Sequence, residues 1–383
     1  MQTLTHRLLD ALRGATVLWS RRAPFDEDLV VSVVEMLAVE RHREYVGRIP
    51  VYGRLASDQG LADGAAVDAI VGAMMFSTDV FKSYESGWLE GGEFVEMTAW
   101  LGEVSSLRPP PPGPEVTDVG GWAAHLRRHG VRLSSSSGTS GQPSFVPRDA
   151  PTWAALCGNG RHYAEDADTS PYDLLALMPS GGALGLQAAA DGLARRAAAV
   201  HFLDGSLADA VAFLARASRR VLIFGPPFRA AALCEAIPEP LTLPAGSRLI
   251  TGGGWKGAAP VALGELALHA LGLAVADAYS ATELNAVLST CPEGRYHAPP
   301  LLQPVLLDEA LDWVPGGEGE GLLAFFDPFA GCYPGFLVTG DRAHLTREPC
   351  PCGLTGWSIV GPITRAPGHE VRGCAGALAA EAS

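Results

Sequence analysis

The sequence lacks any run of about 18 uncharged apolar residues, the length that a membrane-spanning helix needs. It also lacks the apolar stretch of a signal peptide, because Arg7, Asp10 and Arg13 stand where that stretch would lie. We therefore expect a cytoplasmic protein without a membrane span.

Basic residues and cysteines are both few. The 28 lysines and arginines are outnumbered by 42 acidic residues, and the formal net charge is −14 at pH 7. So acidic a chain is not expected to bind the phosphates of DNA or RNA non-specifically, and we predict no nucleic-acid partner. The seven cysteines are odd in number and clustered late, which favours free thiols and metal ligands over a disulfide framework.

Apolar residues, by contrast, make up 48% of the 383 residues, enough for more than one subdomain. The first hundred residues indicate mainly helix. Asp26 is a candidate N-cap of a helix whose positions 29, 30, 33, 34 and 37 form one apolar face. The segment 67–84, VDAIVGAMMFSTDVFKSY, predicts another helix. The proline-rich segment Arg108–Pro114 should run extended on the surface, as a candidate subdomain boundary.

After this segment, short apolar runs alternate with Ala/Leu-rich helical segments. The runs YDLLALMP, AAVHFLDG, RRVLIFGPP, SRLITGGG and LAVADAYS predict strands. This alternation predicts an α/β fold with a mostly parallel sheet covered by helices on both faces. Ligands in such folds bind beyond the carboxyl ends of the strands, where PSGG, TGGGWKG and YSATE fall. From Gly316 onward the pattern predicts a small β region.

The stretch LSSSSGTSGQPSFVPRD, Leu133 to Asp149, concentrates serine and glycine in one loop. Glycines let the backbone approach an anion and hydroxyls donate hydrogen bonds to it, which favours a phosphate-binding loop. It is not a Walker loop, because no Gly-Lys-Ser/Thr follows. A flexible Ser/Gly linker is the alternative.

SSGTSGQPS resembles the signature loop of the adenylate-forming superfamily, whose members activate carboxylic acids with ATP. AYSATEL (278–284), VTGDRA (338–343) and IVGPITR (359–365) are similar to three further motifs of that superfamily, in the same order. Within it, TGGGWKG and the short length resemble the LuxE-type acyl-protein synthetases, and CPCG resembles the phenylacetate–CoA ligase branch. The resemblance covers residues 70–375, counting FKSY as a faint match.

This resemblance implies an ATP site. The ATP phosphates would be bound by Ser136, Ser137, Gly138, Thr139, Ser140 and Gly141. Gly253, Gly254 and Ser280 would be further cofactor-binding residues. Tyr279 would stack near the adenine, Thr282 would bond the α-phosphate, Glu283 would hold Mg²⁺ and Asp341 would accept the ribose hydroxyls. The lysine that often follows the loop is replaced by Gln142 and Ser144.

The glycine-rich TGGGWKG segment contributes two more candidates. Trp255 could floor the acyl pocket, and Lys256 could supply the positive charge that the first loop lacks. A tight turn with an exposed lysine is the alternative. Trp153, His162 and Tyr163 are further candidates for the substrate pocket, aryl or aliphatic.

The end of the chain departs from the superfamily. The hinge motif usually reads Gly-Arg, but Pro362 follows Gly361, and the nearest arginine is Arg365. Because only 18 residues follow Arg365, the resemblance implies that the domain that normally carries a catalytic lysine is reduced to a remnant in this sequence. We therefore predict residues 1–115 as a mainly helical part of the large domain, 116–360 as an α/β adenylation core, and 361–383 as hinge and remnant.

Cysteines and a histidine late in the sequence predict a metal site. Cys291 and His297 lie six positions apart and Cys350 and Cys352 two apart, and such pairs are typical of zinc ligands. Similar residues bind structural zinc in the phenylacetate–CoA ligase branch. Buried free thiols with a surface histidine are the alternative.

We therefore expect a ligase that forms an acyl-adenylate from ATP and an aryl or fatty acid, then passes the acyl group to a thiol. The acceptor could be coenzyme A, a carrier protein, or Cys374, which LuxE-type enzymes suggest by their own C-terminal cysteine. A weakened relative acting as a nucleotide-binding carrier or regulatory module is the second hypothesis. A cysteine hydrolase using Cys157 and His162 is the third, but it lacks an orienting signature.

Overall fold

The computed structural model of the protein describes residues 3–62, 64–136, 142–159, 170–182, 184–255, 261–314 and 316–366. In chain order, the helices α1 to α12 in these ranges are Leu4–Ser20, Glu27–Arg48, Pro50–Asp58, Val67–Ala73, Ser86–Gly91, Phe94–Val104, Val119–Arg128, Ala150–Asn159, Gly185–Ala194, Leu207–Ala215, Pro227–Ala236 and Leu263–Leu271. A short 3₁₀ helix, η1, spans Thr78–Lys82. None of these helices has the length and apolar character needed for membrane crossing.

The strands β1 to β14 of the described ranges are Phe76–Ser77, Arg132–Ser135, Phe145–Arg148, Asp173–Ala176, Ala199–Phe202, Val221–Gly225, Arg248–Gly252, Val275–Tyr279, Leu288–Thr290, Tyr296–His297, Gln303–Leu307, Gly319–Phe326, Phe336–Thr346 and Ser358–Arg365. Strands β2 and β3 form a separate antiparallel hairpin.

The helical N-terminal region forms largely as the sequence predicts. The Asp26 side chain caps α2 by accepting the Leu29 N–H at 2.9 Å. The predicted apolar face is buried at Val33, Val34 and Leu37, whereas Leu29, at the first turn, is 57% exposed. The helix cap and most of the core face could therefore be read from local pattern.

The helix predicted over 67–84 is wrong beyond Ala73. There the chain leaves α4 and enters β1 and η1. Phe76 of β1 pairs in parallel with Leu337 of β13, far along the sequence, and Phe81 of η1 is fully buried. Pairing and burial supplied by the distant strand thus override the local helical pattern.

One large mixed sheet organises the molecule. Among the described residues its order is β11-β12-β13-β14-β10-β9-β8-β7-β6-β4-β5, with β1 beside β13. The five strands β5, β4, β6, β7 and β8 pair in parallel, and the other half is mainly antiparallel. The predicted α/β class is confirmed, and the β region after Gly316 continues this sheet through β12 to β14.

Helices cover both faces of the parallel half. Alternate residues of β4 and β6 enter different cores: Leu175 and Ile223 pack with α10, α11 and α12, whereas Leu174 and Leu222 pack with α9. This explains why the strands read as continuous apolar runs. A third hydrophobic core contains residues from both sides of the predicted boundary at 115, for example Trp100 and Trp122. The division into domains therefore stays a prediction.

Candidate active site

The carboxyl ends of β4, β6, β7 and β8 meet at one edge of the sheet, where an apolar cleft opens. Its walls come from Leu156 and Cys157 of α8, from Leu186 and Leu193 of α9, and from Ile250 of β7. Its polar end is lined by Gly252, Gly253, Ser280 and Thr282. Residues of the segments TGGGWKG and YSATE thus line the same cleft, as expected for segments that follow neighbouring parallel strands.

Close backbone packing explains the glycines at this edge. A Cβ at Gly252 would lie 3.3 Å from the Ala278 carbonyl oxygen, and Gly253 has a positive φ of 80°. Both features favour glycine and bring the backbone itself to the cleft. Gly254 also has a positive φ, but it is exposed.

Asp341 lies at the same edge with both carboxylate oxygens bonded. The Tyr279 hydroxyl donates to one oxygen at 2.7 Å, and Arg365 Nη1 lies 3.0 Å from the other. Arg365 also donates to the Thr339 carbonyl at 3.2 Å. Burial and the neighbouring Asp341 charge raise the pKa of Tyr279 well above its ordinary value, so its hydroxyl stays a donor. The motif residues 279, 341 and 365 therefore form one contact group.

Thr282 and Glu283 follow Tyr279 and are almost wholly buried, with 7% and 5% of their surfaces exposed. Burial raises the pKa of Glu283. Its own backbone N–H, the Ser144 side chain and the charges of Lys82 and Arg148 act in the opposite direction. The Ser280 hydroxyl donates to the Ala286 carbonyl at 2.9 Å and so closes the turn that carries these residues.

The serine–glycine loop starts and ends at one point of the β2–β3 hairpin. The Ser136 N–H donates to the Ser144 carbonyl at 3.1 Å, and the Ser144 N–H donates to the Ser136 hydroxyl at 2.8 Å. Ser137, Gly138, Thr139, Ser140 and Gly141 lie outside the described residues, as do Lys256, His162, Tyr163 and Cys374. Their predicted roles stay predictions.

The two tryptophans predicted for the acyl pocket lie beside the cleft rather than in its lining. Trp153 belongs to α8, whose residues Leu156 and Cys157 do line it, and the Arg132 guanidinium stacks 5.2 Å from the Trp153 ring. Trp255 packs against the core between the sheet and helices α10 to α12. Pocket-facing residues on α8 and α9 carry no motif, so only helical periodicity could have located them.

Two pairs of residues more than fifty positions apart in the sequence converge beside strand β10, which carries His297. One ligand atom each from Cys291, His297, Cys350 and Cys352 lies within 4.8 Å of all the others. Cys291 Sγ is 3.8 Å from Cys350 Sγ, and Cys352 Sγ is 3.3 Å from His297 Nε2. Burial lowers the pKa of His297 to about 4, so its imidazole is neutral and able to coordinate a cation.

Sequence reasoning missed a buried network behind Thr282 and Glu283. Arg148, fully buried, donates from Nη2 to the Thr282 carbonyl at 2.7 Å and from Nε to Asn285 Oδ1 at 2.9 Å. Asn285 Nδ2 in turn donates to Asp327 at 3.1 Å, and the Tyr333 hydroxyl donates to the Glu283 carbonyl at 2.7 Å. The only local signal was an arginine directly behind the serine–glycine loop.

Comparison with known proteins gives two findings. The family model "Acyl-protein synthetase, LuxE" matches residues 192–382. A 2-hydroxyisobutyryl-CoA ligase solved with 2-HIB-AMP and CoA in the thioesterification state superposes with a TM-score of 0.58 at 15% identity, over 89% of this chain and 70% of that chain. An open conformation of that ligase, also with 2-HIB-AMP and CoA, gives 0.55 at 15% identity, over 86% and 73%.

A search of curated protein sequences finds no match. The structural likeness, at this low identity, concerns the fold. The sequence therefore resembles the LuxE acyl-protein synthetases in its second half, and its fold is that of the adenylate-forming enzymes.

Proposed function

We propose that the protein activates a carboxylic acid with ATP and transfers the acyl group to a thiol. In the first step a carboxylate oxygen attacks the α-phosphorus, and the bond to pyrophosphate breaks. In the second, a thiolate sulfur attacks the acyl carbon, and the bond to AMP breaks. The acyl-protein synthetase family match and the neighbour holding an acyl-adenylate support this sequence of reactions.

The observation that carries the proposal is the Tyr279–Asp341 contact. It brings the acidic residue of VTGD to the strand whose end carries Thr282 and Glu283, at the mouth of an apolar cleft. Asp341 would accept the ribose hydroxyls, since an ionised carboxylate has about four acceptor positions on its two oxygens. Thr282 would donate to the α-phosphate.

Glu283 would hold Mg²⁺, a hard cation that prefers carboxylate oxygen. The ion would neutralise phosphate charge as pyrophosphate leaves. The cleft would hold the hydrocarbon part of the acid, because its walls away from the polar end are mainly aliphatic, with Phe224 as an aromatic side chain. Aryl and fatty acids both remain candidate substrates.

Carboxylate-dependent ATP–pyrophosphate exchange tests this function across a panel of aryl and fatty acids. We expect exchange with at least one acid and none without acid. If the protein binds ATP but exchanges pyrophosphate with no acid, a carrier or regulatory module becomes the better account. The specific observation favouring that second function is Arg365, which already occupies Asp341 at the altered hinge.

We further propose that Cys291, His297, Cys350 and Cys352 bind one structural zinc ion. Tetrahedral coordination with Zn–S bonds of about 2.3 Å separates two sulfurs by about 3.8 Å. Cys291 and Cys350 lie 3.8 Å apart, so the donor set and its spacing fit the ion. All four ligands come from the protein, which is typical of a closed structural site. Zinc-binding thiols are typical of a reducing compartment, which agrees with the predicted cytoplasmic location without testing it.

Coenzyme A or a carrier protein is the proposed acceptor, with Cys374 as the third possibility. Labelling by radioactive acid plus ATP separates them. A covalent protein label that Cys374→Ser abolishes, while exchange persists, would assign the acceptor to the chain itself. If the wild-type protein acquires no label and acyl-CoA forms instead, coenzyme A is the acceptor.

A further inference from the structure

Lysine is rare in this protein. Of its 28 basic residues only two are lysines, Lys82 and Lys256. Lysine carries a compact charge that binds phosphate oxygens, whereas arginine serves planar, bidentate contacts. Lys82 belongs to FKSY, the segment that is only faintly similar to the adenylate-forming superfamily.

The structure fastens FKSY against the base of the serine–glycine loop. Gln142 Nε2 donates to the Tyr84 carbonyl at 2.6 Å, and the Tyr84 hydroxyl donates to the Pro143 carbonyl at 2.9 Å. Both partners directly precede Ser144, whose backbone pairs with Ser136. Lys82 therefore lies two residues from a contact with the base of this loop.

The other side of Lys82 is fastened to the Glu283 segment. The Phe81 ring is buried and meets the Tyr333 ring edge-on at 5.5 Å between centroids. The Tyr333 hydroxyl donates to the Glu283 carbonyl at 2.7 Å. Lys82 is thus held between the base of the loop and Glu283, and its charge acts to lower the pKa of that carboxyl.

Among the described residues, the other positive charge that acts on Glu283 is Arg148, and it is committed elsewhere. Arg148 is fully buried and bonded to Thr282 and Asn285, so it cannot reach a ligand. The Lys82 side chain remains 23% exposed, and its ammonium forms a 3.3 Å ion pair with Asp79, which is 60% exposed. An exposed pair of this kind contributes little stability and is easily exchanged for a stronger anion.

We propose that Lys82 binds the β- and γ-phosphates of ATP and the pyrophosphate that leaves. This inference rests on the proposed adenylation function and names a residue for it. On adenylation the ammonium would leave Asp79 and donate to phosphate oxygens beside Glu283. It would thereby replace the lysine that Gln142 and Ser144 displace from the loop, in a protein whose net charge of −14 repels ATP.

Calorimetric binding of ATP, pyrophosphate and AMP, each with Mg²⁺, tests the proposal in wild type, Lys82→Met, Lys82→Arg and Asp79→Asn. In Lys82→Met we expect ATP and pyrophosphate to bind about tenfold more weakly or worse, and AMP to bind within about twofold of wild type. Lys82→Arg should recover most of the loss because it keeps the charge. Asp79→Asn should bind ATP as tightly as wild type or slightly more tightly, since it removes only a weak ion pair that competes for the ammonium.

Equal ATP affinity in Lys82→Met and wild type would overturn the inference. So would an equal loss for AMP and ATP, or the same loss in Asp79→Asn, because either points to support of the fold alone. Lys82→Gln, which keeps more polarity, serves if the methionine variant unfolds. A wild-type protein that binds neither ATP nor AMP would instead overturn the proposed function.

Discussion

Replacing Arg148 by methionine should lower the free energy of unfolding by about 2–4 kcal/mol and slow adenylation. Its guanidinium supports the Thr282–Glu283 turn from the protein interior, through the Thr282 carbonyl at 2.7 Å and Asn285 at 2.9 Å. Methionine keeps part of the aliphatic packing of arginine but none of these hydrogen bonds. The turn would lose its rear support while its backbone stays buried.

The magnitude follows from counting bonds. Two strong hydrogen bonds from a charged donor contribute about 1.5–3 kcal/mol each, and the third, to the Leu284 carbonyl at 3.4 Å, contributes little. The buried Nη1 has no hydrogen-bond partner among the described residues. The methionine variant lacks this unpaired Nη1 group and so recovers about 1–3 kcal/mol of its desolvation cost. The net loss is therefore smaller than the sum of the bonds.

Urea unfolding followed by circular dichroism and by tryptophan fluorescence measures the loss, provided the two transitions coincide. Arg132→Met is the matched control, because Arg132 pairs with Arg148 across the β2–β3 hairpin but is exposed and stacks on Trp153. We expect about 1 kcal/mol or less there. An Arg148→Met loss no larger than the control, with exchange unchanged, would refute the supporting role.

Three further predictions concern the proposed ligands. Asp341→Ala should weaken ATP binding by about 1.5–3 kcal/mol, and unchanged affinity in a folded variant would contradict the ribose assignment. Glu283→Gln should keep nucleotide binding but lose most ATP–pyrophosphate exchange, and normal exchange at saturating Mg²⁺ would count against a metal-binding role. Elemental analysis should find about one zinc per chain. Cys350→Ser should lower both the zinc content and the free energy of unfolding, and freely titratable thiols in a protein without zinc would reject the site.

The sequence predicted what local pattern or strand order determines. The apolar runs around Leu174 and Leu222 were read as buried strands because helices cover both faces. The carboxyl-end rule then placed Gly253 and Thr282 in one cleft without any knowledge of the structure. Cap chemistry likewise fixed Asp26 at the start of α2.

Contacts between distant segments could not be read in this way. Arg148 and Thr282 are 134 positions apart, and nothing in VPRD shows that the arginine turns inward. Phe76 pairs with β13 although its neighbours favour helix, since burial against that strand outweighs propensity. The position of Lys82 could not be read from local pattern either, because Lys82 lies on η1, in the segment where a continuous helix was predicted.

Asp327 allows the buried network to be tested by pH. Its carboxyl is fully buried, which raises its pKa above the ordinary value of 3.8, while N–H groups of Asn285 and Phe329 and the Arg148 charge oppose the rise. A raised pKa in the folded state means that the fold binds the proton more tightly than the unfolded chain. The stability from this group is therefore complete below pH 3.8 and is lost as pH rises through the raised pKa.

Asp327→Asn isolates this contribution, because asparagine has no charge at any pH and the other titrating groups cancel in the comparison. The unfolding free energy of wild type minus that of the variant should fall with pH, by at most about 1.4 kcal/mol per unit, and then become constant. In the Arg148→Met background the fall should continue to higher pH, since the opposing charge is gone. A difference that grows in favour of wild type as pH rises would show that the N–H donors and Arg148 outweigh burial, and that Asp327 is held as a carboxylate partner of the arginine.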